Sequence, residues 1–155
     1  MLKNKFLSFI FFAFVSYSAS FIGGIITYTS KEPWYSTLIK PSFNPPAWVF
    51  APVWSTLYLF MTVAIWLSWQ KDVTNNKLIH LYLIHLIFNA TWSIVFFGLH
   101  QIFLALIVLI VLISFIIVLI LRFKRVNIVS YYLMIPYLLW CCYALFLNLN
   151  LLILN

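Results

Sequence analysis

The chain has 155 residues, which suits one domain and is too short for two. Hydrophobic residues make up 66% of it and charged residues 7%, against about 45–50% and about 25% in soluble domains. So few charges cannot cover a soluble surface, and a disordered or collagen-like chain is excluded by the same figures. The net charge of +7 is scattered over short regions, so we expect no nucleic-acid partner. The composition predicts an integral membrane protein embedded in a lipid bilayer.

Four stretches lack any charged side chain: 6–30, 41–70, 78–121 and 126–155. A helix needs about 20 residues to cross about 30 Å of hydrocarbon. The third stretch is about twice that length and is interrupted by Gly-Leu-His-Gln at 98–101, which predicts two helices joined by a tight turn. Continuous apolar runs favour helices over barrel strands, which alternate. We predict an all-α bundle of five transmembrane helices in one domain, 1–155, with spans near 6–28, 47–69, 78–97, 102–121 and 128–150.

The cations are unevenly divided between the two predicted ends of the bundle. Lys31 and Lys40 fall in the long loop 29–46. The others fall at the opposite end: Lys3, Lys5, Lys71, Lys77, Arg122, Lys124 and Arg125. Because cytoplasmic loops are enriched in Lys and Arg, the N-terminus is predicted in the cytoplasm and the C-terminus outside. We expect the cell membrane of a bacterium.

The first predicted helix has a second interpretation. Lys3, Lys5, an apolar run and Ser18-Ala-Ser20 also resemble a cleavable signal peptide. The uncharged run continues through residues 21–26, so it is long enough to span, and we favour its retention. Small residues four apart, such as Ala19 and Gly23, predict the close approach of another helix.

Residues for polar catalysis are scarce. Glu32 and Asp72 are the only carboxylates, and the predicted topology places them on opposite sides of the membrane. Paired-carboxylate chemistry and a buried acidic proton relay are therefore excluded. Cys141 and Cys142 are adjacent on one helix, so neither a disulfide between them nor a metal site is expected. We predict no metal and no required cofactor.

Aromatic residues make up 21% of the chain. Several fall where an interfacial belt is expected: Trp34, Trp48, Trp66, Trp69, Tyr131 and Tyr132. Trp54 and Trp140 do not, because at about 1.5 Å of rise per residue they lie well inside the outer half of the membrane, at nearly the same depth as Asn89.

Their neighbours extend these three positions into stripes on helical faces. The stripes are Trp54, Tyr58 and Met61 on the second helix, His85, Asn89 and Trp92 on the third, and Pro136, Trp140, Ala144 and Asn148 on the fifth. Polar groups avoid lipid, so the stripes should face the interior. Interhelical hydrogen bonding with aromatic packing would explain them. The alternative is a flat, aromatic-walled pocket for a rigid planar ligand.

Prolines cluster in loop 29–46 and at the start of the second helix. Pro46 suits a first helical turn, and Pro52 is expected to kink the helix that follows. The loop is long enough to fold over the outer end of the bundle as a lid carrying Trp34 and Tyr35. This clustering favours a shaped site.

Three segments resemble one known family. They are WYSTLIKPSFNPPAWVFAPVWSTLYLFMTVAIWL, FNATWSIVFF and PYLLWCCYALFLN, in the loop and the second, third and fifth helices. Together they are similar to the TspO/MBR family, the tryptophan-rich sensory proteins of bacteria and the translocator protein, or peripheral-type benzodiazepine receptor, of mitochondria. The five-helix layout extends the likeness over almost the whole chain.

The resemblance implies a pocket in the outer half of the bundle, closed by the first loop. Members bind tetrapyrroles such as protoporphyrin IX and haem, often sterols, and synthetic isoquinoline or benzodiazepine ligands, and many form homodimers. Matched by position, Trp54 and Trp140 are the pocket tryptophans and Asn89 the pocket amide. Ala144 matches the small residue of the last helix, and Trp34 and Tyr35 match the lid aromatics. With Tyr58 and Trp92 from the stripes, these are the predicted ligand-binding residues.

The chain departs from the animal members at its end. Their sterol motif needs a basic residue after a tyrosine of the last helix, and no residue after Arg125 is basic, so Tyr143 cannot complete it. His85 is interpreted as a buried, hydrogen-bonded histidine rather than a haem ligand, because no spacing supplies a second ligand.

Three classes of function follow. The leading one is a receptor-like membrane protein that binds tetrapyrroles for porphyrin sensing or homeostasis. The second is a light-dependent porphyrin-degrading enzyme, in which Trp54 and Trp140 would be catalytic electron donors, as the resemblance implies. The third is a transporter of porphyrins or sterols, which the absence of visible repeats disfavours.

Overall fold

The computed structural model describes residues 4–155, which form helices and no strand. Five helices are long and apolar enough to cross a membrane. This confirms the predicted five-helix bundle; Lys3, which the charge count used, lies outside the described residues. The helices are α1 (Lys5–Ser30), α2 (Trp34–Thr37), α3 (Ala47–Lys71), α4 (Asn76–Ser93), α5 (Ile102–Val126) and α6 (Ile128–Leu154), and a π-helical turn, Ile94–Gly98, continues α4.

Four of the five long helices run past the uncharged stretches that predicted them. α5 continues through Lys124 and Arg125 to Val126, because long cationic side chains at a helix end reach the polar interface while the backbone stays helical. Asparagine side chains cap the N-termini of three helices, α1, α4 and α6. Asn127 both ends α5 and accepts a hydrogen bond from the Val129 amide of α6 (2.9 Å).

The five long helices form a closed ring. α1 packs against α3 and α4, α5 against α4 and α6, and α6 against α3. Met61, Ile65, Tyr82, Ile116 and Met134 are fully buried where these helices meet. Many large apolar side chains remain exposed on the outside, as expected for a surface that faces lipid.

The small residues of α1 allow the predicted close approach. A Cβ added to Gly23 would lie 3.0 Å from the Ser93 hydroxyl at the end of α4. Lower on the same face, the Ser16 and Tyr82 hydroxyls are 2.5 Å apart. α1 is therefore an integral wall of the bundle.

The two ends of the bundle differ in character, and Glu32 and Asp72 lie at opposite ends as predicted. The end holding loop 29–46 also holds the 98–101 turn, where His100 adopts a positive φ of 57°. At the other end, Trp69 corrects a prediction: it is buried against Phe12 with ring centroids 5.9 Å apart, so it belongs to the core rather than to an interfacial belt.

Replacing Gly23 with valine should destabilise the bundle. The branched side chain would collide with Ser93, and overpacking of this kind costs about 1–3 kcal/mol. Thermal unfolding in detergent, followed by circular dichroism, measures the loss. Gly24→Val is the matched control, because a Cβ there meets no atom within 4 Å. Equal melting temperatures for the two variants would contradict the packing argument.

Candidate functional site

A cavity of about 960 Å³ lies beneath loop 29–46, between α1, α3, α4 and α6. This is the upper end of the range for small-molecule sites, about 300–1,000 Å³. α1 lines it with small residues, including Gly24 and Thr27, and α3 lines it with aromatic residues, including Phe50 and Trp54. The bundle is thus tightly packed at one end and hollow at the other.

A hydrogen-bonded bridge forms the floor of the cavity. The Tyr58 hydroxyl of α3 donates to Asn89 Oδ1 of α4. Asn89 Nδ2 in turn donates to the Tyr137 hydroxyl of α6 (2.9 Å). The three residues are buried and tie three helices together. Asn89 thus uses one of its two N–H donors and one of its two acceptor lone pairs within the protein itself.

The α4 wall is built by the π-helical turn. The Trp92 and Phe96 rings stack 5.3 Å apart at 16°, and Phe97 packs edge-on against both. Wide turns of this kind recur at functional sites. Here the turn lets two consecutive phenylalanines line the cavity, although neighbours on an α-helix point about 100° apart.

The lid contributes Tyr35 and two cations to the cavity wall. Lys40 Nζ lies 4.7 Å from the centre of the Tyr35 ring, and the Lys31 ammonium lies 3.5 Å from the Glu32 carboxylate. The Ser36 side chain, and after it Lys31, hold the pKa of the exposed Glu32 below its ordinary value. Burial raises the pKa of Tyr35, so its phenol stays neutral and donates to Asn44 Oδ1 (3.3 Å).

The lid is fastened to the bundle on two sides. Toward α6, the Asn155 amide pairs with both backbone groups of Ile39 (2.9 and 3.1 Å), and the Tyr143 hydroxyl donates to the Phe43 carbonyl (2.8 Å). Toward the 98–101 turn, the Trp34 ring stacks on His100 at 4.5 Å. The predicted loop is therefore an ordered cover with its own short helix, α2, which its sequence did not indicate.

Six of the eight predicted ligand-binding residues line this cavity: Tyr35, Trp54, Tyr58, Asn89, Trp92 and Ala144. The other two are placed differently. Trp34 packs outward on His100 and against Phe96 (5.4 Å). Trp140 lies edge-on behind Phe50, which does line the cavity, with ring centroids 6.0 Å apart.

The displacement of Trp140 has a geometric reason. Each step of four residues turns about 40° beyond a full circle on an α-helix. From Pro136 to Asn148 the stripe therefore rotates by about 120°, and it runs from an exposed proline to a buried asparagine. Asn148 lines the cavity; its spacing placed it on the predicted stripe, but it was not among the predicted ligand-binding residues. The paired phenylalanines after Trp92 were the signal for the wall at Phe96 and Phe97.

The remaining candidates lie apart from the cavity wall. His85 is fully buried, and its Nδ1 bonds to the Tyr82 carbonyl, which confirms the predicted hydrogen-bonded histidine. Cys141 and Cys142 are both free, one buried and one exposed.

Comparison with known proteins agrees with the architecture. The model of the TspO/MBR family matches residues 10–154. The chain belongs to the TspO/MBR family. It is 36% identical over 142 residues to "Tryptophan-rich protein TspO" of Chlorobaculum tepidum, covering 89% of each chain.

Two further relatives carry different names. "Tryptophan-rich sensory protein" of Cereibacter sphaeroides is 35% identical over 124 residues, covering 80% of this chain and 78% of its own. The human "Translocator protein" is 32% identical over 132 residues, covering 83% and 78%. With its five apolar helices, this family member is a multi-pass integral membrane protein.

Replacing Asn89 with leucine should destabilise the bundle by about 1–3 kcal/mol. The substitution leaves the buried Tyr58 and Tyr137 hydroxyls without their partner, and unpaired buried polar groups carry that cost. The free energy of unfolding in a denaturing-detergent titration measures it. The triple variant Tyr58→Phe, Asn89→Leu, Tyr137→Phe should recover most of the loss, since no polar group then stays unpaired. A triple variant no more stable than Asn89→Leu would contradict the bridge.

Proposed function

We propose that this protein is a receptor-like membrane protein that binds tetrapyrroles and similar flat, hydrophobic ligands in the lidded cavity. The observation that carries the proposal is the cavity itself, about 960 Å³ beneath the lid with aromatic side chains on two walls. The names "sensory protein" and "translocator protein" of two relatives are consistent with ligand binding in a membrane.

The aromatic walls support a flat ligand. Trp54 on α3, and Trp92 on α4 stacked with Phe96 of the π-helical turn, offer ring faces and edges from two directions. Aromatic contacts add about 0.5–1.5 kcal/mol each beyond the burial of area. A rigid planar molecule loses little conformational freedom on entering such a slot, so little of that gain is offset.

The lid supports an acidic group at the edge of the ligand. Lys31 and Lys40 both line the cavity, and Glu32 is the one carboxylate beside them. Lys40 Nζ donates to the Ser36 and Leu38 carbonyls and lies over the Tyr35 ring, and it forms no salt bridge within residues 4–155, so its charge is available to a propionate. A porphyrin propionate beneath the lid would then gain a counter-ion.

The charge distribution supports an orientation in the membrane. Lys5, Lys71, Lys77, Arg122, Lys124 and Arg125 lie at the end opposite the lid. By the positive-inside rule that end faces the cytoplasm, so the lid faces outward.

Trp54→Ala should weaken the binding of protoporphyrin IX about tenfold, because the variant removes an aromatic wall worth about 1.4 kcal/mol. Trp140→Ala should weaken it by less than about threefold, because Trp140 stands behind Phe50. Porphyrin fluorescence anisotropy in the dark, with purified protein in detergent, gives both dissociation constants. Saturable binding by the wild type supports the proposal. No binding, or a larger loss from Trp140→Ala, overturns this account of the cavity.

The same sample under illumination separates receptor from enzyme. An unchanged porphyrin spectrum supports a binding protein. Protein-dependent loss of the porphyrin bands, abolished in the double variant Trp54→Phe, Trp140→Phe, would instead support light-driven degradation.

Lys40→Ala should weaken the binding of protoporphyrin IX by about two- to fivefold at low ionic strength, the size expected of one partly exposed ion pair. The dimethyl ester of the same porphyrin lacks the carboxylates, so its affinity should not change. Lys77→Ala, at the opposite end, is the control. Equal losses for the acid and the ester would show that Lys40 acts by packing rather than by charge.

A further inference from the structure

Two stacked phenylalanines mark a seam between α4 and α5 on the outside of the bundle. The ring centroids of Phe88 and Phe115 lie 5.1 Å apart, with the ring planes at 26°. Both side chains are only half-buried. One turn farther from the lid, Ile84 and Val118 are 40% and 42% exposed. These four residues form an apolar surface that faces lipid, here called the α4–α5 seam.

The same faces of both helices carry a cation at the end opposite the lid. Lys77 precedes Phe88 by 11 residues, and Arg122 follows Phe115 by seven. At about 100° per residue these intervals are about three and about two full turns, each to within about 20°. α4 and α5 are antiparallel neighbours, so both cations extend the seam, and their heights differ by about 6 Å. The two charges therefore stand on opposite walls of one groove.

Neither cation has an anionic partner in the protein. Lys77 and Arg122 are both exposed. Asp72 is the only acidic side chain at this end, and it accepts hydrogen bonds from the Thr74 amide and hydroxyl (3.2 and 2.8 Å). The single salt bridge within residues 4–155 lies in the lid. The charges of Lys77 and Arg122 are therefore open to an anion from outside the chain.

Two other cations of this end lie away from the seam. Lys124 follows Phe115 by nine residues, so it points about half a turn away on α5. Its Nζ lies 5.6 Å from the centre of the Tyr131 ring on α6. Lys71 ends α3, which packs mainly against α1 and α6. A ligand held in the seam should therefore depend on Lys77 and Arg122 rather than on Lys71 and Lys124.

We propose that the α4–α5 seam binds an anionic glycerophospholipid, with its phosphate between Lys77 and Arg122 and an acyl chain along Phe88 and Phe115. Basic pockets between transmembrane helices hold anionic headgroups in other membrane proteins. One lipid molecule matches both parts of the seam, whereas a soluble phosphate would use only the cations. A zwitterionic lipid also carries a phosphate, but the two cations repel its ammonium group. The partner is thus a lipid with a net negative headgroup, in the leaflet opposite the lid.

Native mass spectrometry of delipidated protein in detergent measures the binding of individual lipids. The probes are palmitoyl-oleoyl phosphatidylglycerol and the phosphatidylcholine with the same chains. We expect the wild type to bind phosphatidylglycerol about tenfold more tightly at low ionic strength, because each cation near an anionic headgroup contributes up to about fivefold. Equal affinities overturn the inference. A dimer without bound lipid also overturns it, since a second copy of the chain would then cover the seam.

The double variant Lys77→Gln, Arg122→Gln should bring the preference close to one, while phosphatidylcholine still binds. Lys71→Gln, Lys124→Gln is the matched control, because it removes two exposed cations from the same end and leaves the seam intact. In the control the preference should persist. A preference lost equally in both double variants would show a general attraction to the basic end, which overturns the inference.

A competition experiment separates a lipid from a soluble phosphate. Glycerophosphoglycerol is the headgroup of phosphatidylglycerol without its acyl chains, so at equal concentration it should not displace the lipid. Displacement would show that the phosphate alone occupies the site, and it would overturn the assignment to a lipid. Neither result depends on the cavity beneath the lid, so the tetrapyrrole proposal stands or falls separately.

Discussion

The bridge from Tyr58 through Asn89 to Tyr137 is the contact on which the rest of this structure depends. A membrane offers no water to a buried polar group, so a hydroxyl or amide inside the bundle must find a protein partner. Here three side chains from three helices satisfy one another. Below the bridge α1 closes on α4 through Ser16 and Tyr82; above it the helices enclose the cavity. The bridge is both the top of the packed core and the floor of the site.

The lid covers the cavity and is held in place by hydrogen bonds and ring stacking rather than by a hydrophobic core of its own. Side chains from α6 hold its backbone, with Asn155 at Ile39 and Tyr143 at Phe43, and ring stacking holds Trp34 on His100. Contacts of this kind fix a loop without filling the space beneath it. The cavity therefore persists because its walls are rigid aromatic side chains and its cover is tied at the rim.

The bundle was predictable from the sequence because its signal is collective. Each span rests on some twenty residues, and an error at one of them changes little. The helix ends were less predictable, since α5 continues through cationic residues that the uncharged stretch excluded.

The site depends on individual side chains. Whether a side chain could be predicted to line the cavity depended on the residue spacing along its helical stripe. His85, Asn89 and Trp92 follow a spacing of four and then three residues, which keeps them on one face, and Asn89 and Trp92 line the cavity. Trp140 and Asn148 follow repeated steps of four, which rotate by about 80° between them. The π-helical turn and the fastening of the lid depend on tertiary contacts, so no local pattern indicated them.

The polar groups of the cavity differ in how strongly they can discriminate between ligands. Lys31 and Lys40 sit at a partly exposed rim, where water and salt screen their charge, so they contribute to attraction more than to selectivity. At the cavity floor, the Asn89 amide is buried and bonded to the Tyr58 and Tyr137 hydroxyls, so a ligand that breaks either bond without replacing it carries the cost of an unpaired buried group. The attraction of acidic ligands by the lid lysines and the selection between ligands by buried groups of the cavity are then separable. Raising the ionic strength should weaken the first while leaving the preference set by the second unchanged.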